Sequence, residues 1–138
     1  MNLEKGFQLT SPNKFVPWRV TALELEDLFD GKALKKITRG YYTIDCEPLS
    51  GLFCVLGFHL HQFNVLTELE FFRRDYSNQK ESYENFQERF EAAFGIPTKT
   101  AEGSEGYPSH EWEVPGAVIV HYIFDRFGPE EHMRIRKT

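Results

Sequence analysis

No apolar run in this 138-residue chain approaches the ~20 residues that a membrane helix needs, so no bilayer span is expected. The opening stretch, MNLEKGFQLTSP, lacks the apolar core of a secretory leader, and a cytoplasmic setting is the expectation. Cysteine is scarce: Cys46 and Cys54 are the two in the chain, too few for a disulfide framework. None is needed, because a chain of this length buries enough surface to hold a core as one domain spanning residues 1–138. Basic residues are in deficit. With 16 Lys and Arg against 21 Asp and Glu, the net charge is −5, which argues against a nucleic-acid partner. Chemical motifs are missing as well. There is no G-x-S-x-G elbow, no H-E-x-x-H, no paired C-x-x-C and no EF-hand loop. Gly103-Ser104-Glu105-Gly106 carries an acid where a phosphate would sit. No cofactor and no catalytic residue is expected.

Aromatic residues are plentiful, with 13 Phe and 6 Tyr, and many of them alternate with polar ones. The alternation is clearest from Tyr41 to Arg73, which reads as a three-stranded antiparallel meander. Tyr42, Ile44 and Cys46 form the apolar row of its first strand, and Leu52, Cys54, Leu56, Phe58 and Leu60 that of the second. Val65, Leu69 and Phe71 follow in the third. A turn over Leu49 to Gly51 sets Cys46 opposite Cys54, Ile44 opposite Leu56 and Tyr42 opposite Phe58. A turn at Gln62-Phe63 sets Leu60 opposite Val65, Leu56 opposite Leu69 and Cys54 opposite Phe71. The other face is mixed: Thr43, Asp45, Phe53, Val55, Gly57, His59, His61, Glu68, Glu70 and Phe72.

Two helices flank this meander. Thr21-Ala22-Leu23-Glu24 is a capping box, with Val20 and Leu25 placed as a hydrophobic staple. The first helix runs from Thr21 with Ala22, Leu25, Leu28 and Phe29 on its apolar stripe, and Gly31 ends it. Residues 32–39 fit either a helix continuation or the start of a strand. The second helix is expected from Glu81 or Ser82 to Phe94, with Ser82 as N-cap, Glu84 complementing the dipole and Gly95 as terminator. Thr98 to Ser109 reads as a loop. Strands at His110–Val114, Val118–Phe127 and His132–Lys137 follow, with turns at Pro115-Gly116 and Gly128–Glu131.

The expected fold is therefore α+β, two helices packed on a largely antiparallel sheet. Helix-plus-three-strand modules fall in tandem, as pseudo-repeat halves at about 16–73 and 78–138. That pattern resembles the tandem helix-plus-meander modules of small bacterial binding proteins such as beta-lactamase inhibitory proteins. No motif accompanies the pattern, and no residue role carries over.

Two histidine pairs are the candidates for chemistry. His59 and His61 share a strand face with Asp45, Glu68 and Glu70. Two imidazoles and a carboxylate suit a zinc or iron ion, so His59, His61 and Glu68 are the candidate ligands. Pairing across Pro115-Gly116 sets His110 opposite His121 and Trp112 opposite Ile119, a pair placed for proton transfer or pH sensing. His59, His61, His110, Trp112 and His121 are thus the candidate binding residues. Arg134 and Arg136 alternate along the last strand, with Asp125 the expected partner of Arg134. From Asp75 to Glu113 nine acids stand against three bases, mostly a solvated helix face. Cys46 and Cys54 read as buried thiols within reach of a cross-strand disulfide.

The leading expectation is a small soluble protein-interaction module of immunity, inhibitor or accessory-subunit type. Its partner is another protein or a second copy of the chain. The alternative is a small-molecule- or metal-binding enzyme with a histidine-lined pocket. A helix layer covers one sheet face only, so the remaining apolar residues need the N-terminal segment, a loop or another molecule.

Overall fold

A computed structural model describes residues 1–30, 33–61 and 63–138. Short strands β1 (Gly6–Gln8) and β2 (Phe15–Pro17) pair as a hairpin, followed by helix α1 (Ala22–Leu28). Four strands come next: β3 (Lys35–Thr38), β4 (Tyr41–Leu49), β5 (Leu52–His59) and β6 (Glu68–Phe72). Helix α2 (Gln79–Phe94) opens the second half, with β7 (Lys99–Ala101), β8 (Ser109–Val114), β9 (Ala117–Asp125) and β10 (Pro129–Lys137). The eight strands form one sheet in the order β3-β4-β5-β6-β10-β9-β8-β7, every pairing antiparallel. This is an α+β fold of two meanders joined edge to edge at β6 and β10. Each meander has one strand more than its apolar alternation marks: the short outer strands β3 and β7, both fully exposed.

The β4–β5 register is as read from the alternation, with Cys46 opposite Cys54, Ile44 opposite Leu56 and Tyr42 opposite Phe58. The β5–β6 register differs by two residues, pairing Leu56 with Phe71 and Phe58 with Leu69. Its turn centres one residue later than expected, where Phe63 and Asn64 adopt φ of 58° and 57°. Positive φ at both central residues is what a tight hairpin turn demands. A two-residue shift keeps each side chain on its face, so Leu69 and Phe71 are still buried. Gln62 of the expected turn, and Gly31 and Lys32 at the expected end of the first helix, lie outside the described residues.

The core lies on one face of the sheet, beneath α1, the β1–β2 hairpin and α2. Aromatic contacts cross it in sequence: Phe29 on Phe58 at 5.8 Å, Phe7 on Phe71 at 5.7 Å, Phe71 edge-on to Phe90 at 5.1 Å, and Phe90 beside Trp112 at 6.3 Å. Leu56, Leu69, Ile119 and Ile135 fill the sheet side of this layer and are fully buried. Trp18 anchors the hairpin by donating from Nε1 to the Leu3 carbonyl at 2.7 Å. The N-terminal segment therefore completes the helix layer; on the mixed face Thr43 and Val55 are buried among their neighbours, while Asp45 and Phe53 stand exposed. Thr21 caps α1 with the expected box, its side chain accepting from Glu24 N while the Glu24 carboxylate accepts from Thr21 N. At α2 the N-cap is Asn78, which accepts from Glu81 N; Ser82 sits buried inside the helix. Gly95, with φ of 86°, ends α2 as expected. Among the described residues no helix is long and apolar enough to cross a membrane.

Candidate functional site

Charge alternation builds the centre of the open face. Glu68-Leu69-Glu70 on β6 runs against Arg134-Ile135-Arg136 on β10, with Arg134 opposite Glu70 and Arg136 opposite Glu68. Leu69 and Ile135 turn inward and are buried, leaving the four charges together on the open side. Arg134 bonds a Glu68 oxygen and donates to Glu70 Oε2 at 3.0 Å, while Arg136 Nε donates to Glu68 Oε1 at 3.2 Å. The expected Asp125–Arg134 pair does not form. Pro129 to Glu131 continue the strand, which sets Asp125 opposite Pro129 and Arg134 opposite Val120.

The network extends to the histidines of the same face. His59 Nε2 lies 2.9 Å from Glu70 Oε1, and the Tyr41 hydroxyl donates to that oxygen at 3.3 Å. Tyr41 stacks on His59 with centroids 4.6 Å apart, and His61 Nε2 lies 2.9 Å from His59 Nδ1. Burial pushes the Glu70 carboxyl up, but the His59 hydrogen bond and the Arg134 charge outweigh it and hold the group below its ordinary range. Burial and the Glu70 charge push the Tyr41 hydroxyl up to about 12. The candidate metal ligands are therefore not assembled. Glu68 is taken by two arginines, and both ring nitrogens of His59 are committed to His61 and Glu70. Among the described residues no group of three or more His, Cys, Asp or Glu side chains is arranged to hold a metal ion.

His110 and His121 face each other as the turn predicts, rings 6.5 Å apart, but on the helix side of the sheet. His121 is fully buried beneath α2. Its Nδ1 lies 2.7 Å from Gln87 Oε1 and its Nε2 2.6 Å from Glu131 Oε2. Gln87 donates from Nε2 to Glu91, which turns its oxygen to the ring. Ser82 Oγ donates to Glu131 Oε1 at 2.6 Å and accepts from Arg73 Nε at 2.6 Å. Glu131 thus stands between Ser82 and His121, the wrong order for a base to activate the hydroxyl. Trp112 is buried too and donates from Nε1 to the Gly95 carbonyl at 2.8 Å. His110 alone of this group keeps substantial exposure, its Nδ1 3.0 Å from Thr100 Oγ1. Burial and the nearby His121 hold His110 below the ordinary histidine value. The four candidate histidines divide between opposite faces of the sheet, so no one pocket joins them.

A cleft of about 920 Å³ opens instead at the end of the first meander. The Ser11–Lys14 loop, the last turn of α1 and Arg73 to Asp75 wall it, with Ile44, Cys46 and Cys54 on its inner surface. No histidine lines it. Burial, then the Asp45 carboxylate, pushes the Cys46 thiol up to about 12. Burial drives Cys54 higher still, with Cys46 adding to the shift and Arg73 opposing it.

No protein-family model, curated protein or solved structure matches the chain. The features that pattern reading passed over are Glu131, the Glu68/Glu70–Arg134/Arg136 seam and the cleft. The seam carried a signal, two charge pairs of opposite sign at the same period of two. Glu131 carried none, because Gly128-Pro129 ahead of it reads as turn chemistry.

Proposed function

We propose that the chain is a protein-binding module without catalytic activity, and that the open sheet face is its docking surface. The observation that carries this reading is an eight-stranded sheet with a covering layer on one side only. The bare side presents Val118, Val120 and Tyr122 along β9, ending in Phe124 at 48% exposure, with Phe53 at 70% near the other end. Aromatic and aliphatic anchors around a pre-paired charge network are what a specific interface requires. The edges favour face over strand addition. β3 and β7 are short and begin with Lys35-Lys36 and Lys99, features that discourage edge pairing. The partner is a protein, a target or companion subunit or a second copy of this chain, buried over roughly 800 Å² on each side. The acidic balance argues against nucleic acid. The cleft supports a second reading, binding of a small molecule, since its volume matches known ligand sites.

The test is a paired substitution on the open face, Tyr122→Ser with Phe124→Ser, set against Leu23→Ser on the exposed side of α1. Sedimentation at micromolar concentration reports self-association, and titration reports a recovered protein partner. The open-face variant should weaken association about tenfold or more while remaining folded, and Leu23→Ser should leave it unchanged. A strict monomer whose partner binds both variants equally overturns the proposal.

A further inference from the structure

We infer that Cys46 and Cys54 are a modification site, a cross-strand dithiol that a small disulfide entering the cleft converts to an intramolecular disulfide. Three observations carry this. The residues are direct partners in the β4–β5 ladder, so their side chains leave the same face of neighbouring strands. Partners in an antiparallel ladder have Cα atoms about 4.5 or 5.5 Å apart, and both spacings lie within the range a disulfide spans. Both residues are part-exposed and both line the cleft, so an oxidant has a path to them.

The chemistry balances with a glutathione-type disulfide as oxidant. The Cys46 sulfur attacks one sulfur of the oxidant, forming a mixed disulfide and releasing one thiol that takes the Cys46 proton. The Cys54 sulfur then attacks the Cys46 sulfur and expels the second thiol with the Cys54 proton. Two protein S–H groups are oxidised and one S–S bond is reduced. Cys46 is placed first because burial raises its thiol less than that of Cys54.

The surroundings set the rate and the outcome. Asp45 on β4, Arg73 beyond β6 and Tyr76 are the charged and titratable groups that bear on the pair, with Lys14, Asp30, Glu47, Arg74 and Asp75 on the cleft wall. No group holds either sulfur as a thiolate, so exchange is slow near neutral pH and quickens in alkali. The same lack of thiolate stabilisation makes the finished disulfide hard to reduce. The site therefore suits a lasting cross-link at the cleft wall rather than a turnover redox centre. It stands independently of the docking face.

The experiment uses the full reduced chain and oxidised glutathione. Thiol titration should fall from two free groups to none, and intact mass should drop by about 2 Da with the protein still monomeric on a non-reducing gel. Between about pH 7 and 9 the rate should rise about tenfold per unit. Cys54→Ser should stop at one glutathione on Cys46. Should that variant fail to fold, the wild-type result decides. Wild-type protein that ends with two glutathiones, or keeps both thiols while a denatured control is oxidised, overturns the inference. A rate indifferent to pH overturns it as well.

Discussion

Glu131 carries more of the structure than any histidine picked out by spacing. Its side chain is fully buried and accepts from Ser82, Gln79 and His121, tying the last strand to α2. A buried polar group is tolerable only while its hydrogen-bond partners are in place. Glu131→Leu should therefore destabilise the chain by about 1–3 kcal/mol, because the buried polar atoms of Ser82 and His121 lose their hydrogen-bond partner. Adding His121→Phe should restore much of that loss, since an apolar pair of similar volume removes the stranded group. Urea denaturation of the two variants checks both statements. If Glu131→Leu unfolds at the wild-type midpoint, the pair contributes nothing. The same residue shows where single positions are illegible. His121 was visible through its opposite number His110, whereas Glu131 reaches it only by the β9–β10 ladder, whose register the glycine-proline turn conceals.

At the scale of elements, strand faces, the α1 cap and the β4–β5 and β8–β9 registers were legible, while the α2 cap and the β5–β6 register were not. Alternation records which side of a strand is buried, but its parity is unchanged by a two-residue slip. That is why Leu69 and Phe71 were correctly turned inward while their partners on β5 were not those expected. The turn decides the rest, and the positive φ at Phe63 and Asn64 has no glycine to announce it. β7 escaped notice, and β3 was one of two options for residues 32–39, for a different reason. Both are short and exposed, with no apolar row to mark them. At α2 the expected N-cap, Ser82, lies one turn beyond the actual one, Asn78. Asn78 wins because Glu81 follows three residues later and its backbone N–H meets the Asn78 side chain at 3.0 Å. Asn78→Ala should cost about 1 kcal/mol, as should Thr21→Ala at α1. Equilibrium denaturation of each variant measures this, and no loss at Asn78 would place the start of α2 further along the chain.

The whole molecule is two meanders fused at one seam, and both the joint and its open face depend on protonation. The recurrence of helix and meander was visible in the sequence, as was the class of fold. The joining of the halves was not, because it rests on Glu68, Glu70, Arg134 and Arg136, residues far apart in the chain. Three titrating groups then act in one direction. Burial, then the Arg134 charge, holds His132 below the ordinary histidine value of 6.5, against the opposing pull of Glu130 and Glu70. His110 is lowered by burial and by His121, with Glu91 opposing. For each, the unfolded chain takes up its proton first as pH falls, so stability present above about 6.5 is lost below it. Glu70, held below its ordinary value, adds stability that is present above about 4.5 and lost as pH falls further. Unfolding midpoints in urea should therefore decline from about pH 7 to 5, then decline again below about 4.5. A variant carrying His110→Asn and His132→Asn isolates the first step, because His121 and His59 remain in both proteins. The wild-type curve should fall more steeply than the variant curve across that upper window, and parallel curves there would remove both histidines from the acid response.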